Sequence, residues 1–397
     1  MNKKKTIVIA GGGFAGLTAC DYLRKRRNSF FGEYEVILID RKKTFDFLPL
    51  TPDVLGGWLN PGSVTIDLAR FARRRGVQFI NEAVEGLDPD KNILRLSGLQ
   101  LAYDFAIVSV GSDANFFGKR ELEAGCLKLK SVQDAVDIKS KIIANTGRQN
   151  HLNIVIVGAG YTGLEVAMNM HYLVNRNRLN CHILVVETRD SILPGLPERL
   201  KKIAKDELIN REIEIVVNDT VSKYENNKVV FGSGREINGS ICIWSAGVQA
   251  PSFLLNLNAE KERGRIIVNE KLNIYGKEFK NLFLAGDCCS FTDSKTGRPL
   301  RMAVVFSLGQ GKIAAQNVIN SIEGKQLVNY RPVDPGYLIP LTYYKAPGIV
   351  FGHNVGGHIG YILHYCLSIY YSRMSNKLKI LRDLFFRRFL KLDEKKS

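Results

Sequence analysis

Two short stretches constrain this chain more than any other feature: "TIVIAGGGFAGLTA" at 6–19 and "IVIVGAGYTGLEVA" at 154–167. Each is a β-branched apolar run that enters a G-x-G-x-x-G turn and leaves it as a segment with helical spacing. Such runs suit central strands of a parallel sheet covered on both faces. In a turn of this kind the first glycine permits the tight bend, and the second lets backbone approach a pyrophosphate. The third lets the helix pack close to the strand, with its N-terminal N–H groups facing the anion. The residues concerned are Gly11, Gly13 and Gly16, then Gly158, Gly160 and Gly163.

A lone G-x-G-x-x-G is weak evidence, but each copy here is followed by a second mark. "YEVILID" ends at Asp40 and "CHILVVE" ends at Glu187, and each acid lies 29 residues beyond the first glycine of its turn. A carboxylate at that place accepts hydrogen bonds from ribose hydroxyls. Two such units call for two dinucleotides, which a flavin and a nicotinamide satisfy: FAD on the first and NADH on the second. The charge of Glu187 disfavours the 2′-phosphate of NADPH, although Arg189 stands two residues on.

The predicted class is therefore α/β, with two Rossmann-like dinucleotide-binding domains, the second inserted in the first. Three further apolar strands end in glycine: Gly111 after "DFAIVSV", Gly247 after "ICIWSA" and Gly286-Asp287 after "NLFLA". They suggest backbone brought close to each cofactor. The expected division is 1–114 with 268–330 for FAD, 115–267 for NAD, and 331–397 as a C-terminal membrane-associating amphipathic helical segment.

Seven scattered cysteines and six histidines form no metal-ligand pattern, and no CxxC occurs, so no metal site and reduced thiols are expected. The N-terminus carries no secretory pattern, and no apolar run approaches the roughly 18 residues of a membrane span. The net charge is +17, which calls for an anionic partner. No nucleic-acid motif is present, and residues 371–397 concentrate nine basic against three acidic residues. On a helical wheel Leu381, Leu384, Phe385 and Phe389 share an arc into which Arg388 intrudes. A basic segment of that kind, after "YILHYCLSIYY", reads as an anchor to an anionic membrane surface, with packing on a partner subunit as the other reading.

In these residues the chain resembles the type II NADH:quinone oxidoreductases of the two-dinucleotide-binding flavoprotein superfamily. The resemblance is dense over about 5–320 and rests also on "VILIDRKKTFDFLPL", "VSVGSDANFFG", "LKSVQDA", "SILPGLPERL", "IWSAGVQAP" and "LFLAGDCC". It implies an FAD set of Gly11, Gly13, Phe14, Ala15, Gly16, Asp40, Arg41, Val84, Gly111, Gly286 and Asp287. Asp287 would meet the ribityl chain or pyrophosphate near the start of a following helix. The NADH set is Gly158, Gly160, Gly163, Glu187 and Gly247, and Glu165 is the catalytic candidate. Electrons would pass on to a membrane quinone, from a peripheral position on the cytoplasmic side of the inner membrane, and a homodimer stays open. One departure stands out. The family usually has A-Q-x-x-x-Q-Q-G near the quinone, whereas "VVFSLGQG" at 304–311 places Val305 and Gly309 where Gln is usual and keeps Gln310.

That departure keeps a soluble acceptor in view, and a flavoprotein with a regulatory role is a third reading. Disulfide reductases need a C-x4-C pair that residues 41–60 lack. Sulfide:quinone chemistry would use Cys126 with Cys288 or Cys289. The adjacent Cys288 and Cys289 read more simply as small apolar residues on a helix after Asp287.

Overall fold

The computed structural model describes residues 4–26, 32–146, 151–277, 279–342, 344–372 and 376–385. The chain divides into two compact units. The first comprises the chain up to Phe45 with Ile66–Asp113 and Val248–Asp334; the second comprises Asp46–Thr65, Ala114–Gly247 and the chain from Pro335. The architecture is α/β, and the second unit's sheet is inserted in the sequence of the first.

The first unit is built on five parallel strands in the order Leu282–Leu284, Phe105–Val108, Lys5–Ala10, Tyr34–Ile39, Gln78–Ile80. Lys5–Ala10 is central, and its Ile7, Val8, Ile9 and Ala10 have no exposed surface. Burying each of the larger three stabilises the sheet by about 1.5–3 kcal/mol. The strand runs in register with Tyr34–Ile39, so Ala10 stands opposite Ile39 and the chain reaches Asp40 beside the glycine turn.

The second unit repeats this plan. Its parallel order is Leu127–Lys128, Ser240–Trp244, Leu152–Val157, Cys181–Val186, Glu214–Val216. Val157 pairs with Val186, which places Glu187 as Asp40 is placed. The duplication extends further than the glycine turns. Each unit adds a three-stranded antiparallel meander: Val84–Asp88, Ile93–Leu96 and Leu99–Ala102 in the first, and Val221–Glu225, Lys228–Phe231 and Glu236–Ile237 in the second.

One expectation needs correction. No helix follows Asp287: Asp287 and Cys288 form a turn, and Cys289 opens the strand Cys289–Asp293, which pairs in parallel with Arg265–Val268. The strand wins because Cys289, Ser290 and Phe291 are buried, and the next helix begins only at Val304. The segment "VVFSLGQG" is itself the start of that helix, Val304–Ile322.

The C-terminal region holds a three-stranded sheet (Gly336–Leu338, Gly348–Val350, His353–Val355) and the helix Gly357–Tyr371, and residues 376–385 are again helical. Among the described residues no helix is long and apolar enough to cross a membrane. The last helical stretch is docked. Asp383, buried at 5% exposure, accepts hydrogen bonds from the Asn60 N–H (3.0 Å), Asn60 Nδ2 (3.1 Å) and Ser63 Oγ (2.6 Å). Asn376 Nδ2 donates to the Thr65 carbonyl at 3.0 Å. Asn376, Ile380 and Asp383 thus form the inner face, while Leu378, Leu381 and Phe385 are 78%, 48% and 60% exposed. Phe389 and Arg388 lie outside the described residues.

Candidate functional site

In each unit the glycine turn is held by the same set of bonds. Gly11 N–H donates to the Ile39 carbonyl and Gly158 N–H to the Val186 carbonyl, both at 2.7 Å. Gly11 and Gly158 have φ of +105° and +102°, in the left-handed region that favours glycine. A Cβ on Gly16 or Gly163 would collide with the carbonyl oxygen of Gly11 or Gly158, so the third glycine is required by helix–strand packing.

The middle glycine behaves differently. A Cβ on Gly13 would find only the Ser109 carbonyl oxygen, at 4.0 Å, and one on Gly160 would find nothing within 4 Å. Protein packing therefore does not demand glycine at either position. The open space lies at the start of the helices Phe14–Lys25 and Tyr161–Arg176, where N–H groups favour a phosphate. The residues present fit a dinucleotide pyrophosphate in both units.

The acids close the two turns. Asp40 Oδ2 accepts from the Gly12 N–H at 2.6 Å and its Oδ1 from the Lys42 N–H at 2.7 Å. Glu187 Oε2 accepts from the Ala159 N–H at 3.0 Å, and its Oε1 accepts from the Arg189 N–H and the Thr188 hydroxyl, both at 3.1 Å.

Sequence reasoning missed two serines that complete this design. Ser109 Oγ donates toward the carbonyls of Ala10 (3.1 Å) and Gly11 (3.0 Å). Ser245 Oγ does the same for Val157 (2.9 Å) and Gly158 (3.0 Å). The signal was present, since both serines stand two residues before Gly111 and Gly247.

The remaining flavin-set residues lie in the first unit. Phe14 meets Phe45 edge-to-face with centroids 4.9 Å apart, and the Ala15 backbone is approached so closely by Gly311 that a Cβ there would collide with it. Arg41 forms an ion pair with Asp113 at 2.7 Å. Val84 opens its meander strand. Gly111 and Gly286 have φ of +71° and +81°, and Gly286 N–H donates to Gln310 Oε1 at 2.7 Å. The side-chain oxygen of Gln310, a residue buried at 4% exposure, is thus used to hold the Gly286-Asp287 turn. At Gly309 a Cβ would stand 3.0 Å from the Tyr330 ring, and Tyr330 is buried with its hydroxyl donating to the Phe306 carbonyl at 3.4 Å. Tyr330 occupies the room a longer side chain at 309 would need.

In the second unit Gly247 accepts at its carbonyl from the Asn115 N–H (3.0 Å), and a Cβ on it would stand 3.0 Å from the Phe117 ring. Glu165 stands one turn into Tyr161–Arg176 and is partly buried. Burial, and then the charge of Asp53, push its carboxyl up to about 8. Cys126 lies beside Cys242, with Sγ atoms 3.1 Å apart, and both are buried free thiols. No cluster of metal-ligating side chains occurs among the described residues.

The pattern of the pyridine nucleotide-disulphide oxidoreductase family matches residues 5–312. A type II NADH:quinone oxidoreductase of Staphylococcus aureus (strain NCTC 8325 / PS 47) is 25% identical over 374 residues, which covers 89% of this chain and 92% of that one. Among solved structures, NDH2 from Plasmodium falciparum in complex with NADH superposes with a TM-score of 0.85 at 16% identity, covering 96% of this chain and 98% of that one. The sulfide:quinone oxidoreductase of Aquifex aeolicus superposes with a TM-score of 0.76 at 18% identity, covering 92% and 90%. The duplicated cradle and the extent of the family match agree, and this chain belongs to the pyridine nucleotide-disulphide oxidoreductase family.

Proposed function

We propose that this protein is an FAD-dependent NADH:quinone oxidoreductase of the type II class. The observation that carries the reading is the open space beside Gly13 and Gly160, positions where glycine serves a ligand and not the packing of the chain. The likeness to the Staphylococcus aureus enzyme over 89% of the chain supports the choice within the family.

FAD, when bound, accepts a hydride from NADH and gives two electrons to a quinone. The first unit holds FAD: Gly11, Gly13 and Gly16 admit its pyrophosphate, Asp40 takes the ribose, and Gly111, Gly286 and Asp287 bring backbone alongside. Phe14, Ala15, Arg41 and Val84 complete that set. In the second unit Gly158, Gly160 and Gly163 admit the pyrophosphate of NADH, with Glu187 at its ribose and Gly247 beside it. The single carboxylate at Glu187 favours NADH over NADPH.

Quinone reduction consumes two protons. Glu165 retains a proton at neutral pH, because its carboxyl titrates near 8, and it supplies one to the site. Gln310 acts through Gly286, which it holds, and so positions the Gly286-Asp287 turn.

The protein docks on a membrane as a peripheral protein, on the cytoplasmic face. The exposed Leu378, Leu381 and Phe385 support this, as do Lys377, Lys379 and Arg382 on the same helical stretch. A basic amphipathic face of this kind binds anionic lipid. Purified protein should release FAD on denaturation and oxidise NADH in the presence of a short-chain quinone. Absence of flavin, or NADH oxidation indifferent to quinone, contradicts the reading.

A further inference from the structure

Asp53 sits in the short helix Thr51–Leu55 and is 4% exposed. A buried carboxylate needs partners, since an unpaired one costs several kcal/mol. One partner is identified: the Tyr365 hydroxyl, on the helix Gly357–Tyr371, donates to Asp53 Oδ1 at 2.5 Å. A bond that short, from hydroxyl to carboxylate, is of the strong charge-assisted kind.

Asp53, Tyr365 and Glu165 line one cavity of about 510 Å³ within the second unit. Its long wall is one face of the helix Tyr161–Arg176. Glu165, Met168, Asn169, Tyr172 and Arg176 recur at helical spacing along that face. At 1.5 Å per residue the wall runs roughly 16 Å from Glu165 to Arg176. Trp58 stacks on Tyr172 with ring centroids 3.4 Å apart and forms the facing side. The outer end reaches exposed residues, Arg176 and Arg178, with Arg211 beside them. The cavity therefore runs from Glu165 to residues exposed to solvent.

We infer that Asp53, fixed by Tyr365, is a positioning residue that keeps Glu165 loaded with a proton, and that this cavity is the path by which water recharges it. The inference rests on the reading that Glu165 supplies protons to quinone. Its physical content is a like-charge effect. A fixed negative carboxylate facing a second carboxyl favours the protonated form of the second. The other titratable groups around the cavity are His171, Tyr172, Arg176 and Arg178 on the same side as Glu165, and Arg211 from beyond the helix Glu198–Ile209. Arg211 is engaged with Glu207 at 2.6 Å. Burial and Arg211 both hold His171 below its ordinary value, which weakens any positive charge there that would draw the proton from Glu165. The stretch Pro340–Thr342 contributes no titratable side chain. Asp53 is thus the one acid other than Glu165 on the cavity wall among the described residues.

The test uses the flavin-loaded protein and its variants Asp53→Asn, Tyr365→Phe and Glu165→Gln, each checked for fold by circular dichroism. Infrared spectroscopy reads the C=O stretch of the protonated carboxyl as pH is raised. The band belonging to Glu165 is the one missing from Glu165→Gln. It should fade near pH 8 in the native protein and about one unit lower in Asp53→Asn. Tyr365→Phe removes only a hydroxyl, and should shift it the same way by less, because Asp53 keeps its place on the wall but loses the bond that fixes it. The alkaline limb of quinone-driven reoxidation should move with the band. An unshifted midpoint in both variants overturns the inference, as does a spectrum from which Glu165→Gln removes no band. Failure of the proposed function shows separately: NADH would bleach the flavin and quinone would not restore it, whatever the infrared midpoint does.

Discussion

The Glu187 carboxylate accepts a hydrogen bond from the backbone N–H of Ala159 at 3.0 Å, so the acid assigned to a ribose also braces the glycine turn that precedes it. Asp40 and Gly12 repeat the relationship at 2.6 Å. On the proposed reading, one side chain thus couples cradle shape to nucleotide choice.

Two substitutions separate those roles. Glu187→Gln keeps an oxygen for the Ala159 N–H but removes the charge. The native protein should use NADH over NADPH by at least about tenfold, a difference of about 1.4 kcal/mol, and the Gln variant should narrow that ratio while holding its fold. Glu187→Ala should also raise the KM for NADH, because the turn loses its acceptor. Steady-state rates with both nucleotides decide this, and an unchanged ratio in the Gln variant removes the ribose assignment.

The glycines make a sharper pair of contrasts. Gly163→Ala puts a methyl against the Gly158 carbonyl oxygen, and Gly16→Ala does the same at Gly11, so both should lower the melting temperature or fail to fold. Gly160→Val has open space around it and should fold, stay yellow and resist bleaching by NADH. Gly13→Val should fold and purify colourless. The reverse pattern of colour would exchange the cofactors between the units.

How far the sequence reached can be seen at these positions. The turn glycines and Asp40 and Glu187 were legible because strand, turn and acid follow one another at fixed spacing, so local geometry implies their meeting. Ser109 and Ser245 were legible in principle, each two residues before a noted glycine, but a serine at a strand end carries no signal until its carbonyl partners are known. Asp53 and Tyr365 are 312 residues apart in sequence, and no periodicity brings them together. The helix expected after Asp287 failed because the burial of Cys289–Phe291 by the sheet outweighs local preference. At the C-terminus the wheel identified Leu381 and Phe385 but missed Leu378, the most exposed of the three, since only packing shows which face Asp383 occupies.

Glu165 also sets a pH dependence of stability. Its carboxyl rises from 4.5 to about 8 on folding, through burial first and Asp53 second. The native state thus holds a proton that the unfolded chain releases. Stability from this group is fully present below pH 4.5 and is lost as pH rises through 8. Glu165→Gln removes the penalty, so its melting temperature should match the native protein at low pH and exceed it progressively toward pH 8 and above. A constant offset across that range contradicts the buried, protonated carboxyl.

The terminal helical stretch has two distinct faces, one docked through Asp383 and one exposed. Asp383→Ala leaves the Asn60 and Ser63 donors without their acceptor, at a cost of about 1–3 kcal/mol, and should keep binding to anionic vesicles. Replacing Leu378, Leu381 and Phe385 with serine should leave the melting temperature nearly unchanged and abolish sedimentation with vesicles. Removing residues 371–397 should cause both losses. Binding by the native chain should weaken with salt, because charges are screened over about 10 Å at 0.1 M. Native protein that ignores anionic vesicles at low salt would make the exposed face a subunit contact.

Electron transfer from NADH through FAD to quinone is tested by an anaerobic titration followed by visible absorbance. One equivalent of NADH should bleach the flavin band, and one equivalent of a short-chain quinone added next should restore it fully. NADPH at the same concentration should bleach it at least about tenfold more slowly. A flavin that NADH does not bleach, or that stays reduced after quinone is added, contradicts this electron transfer.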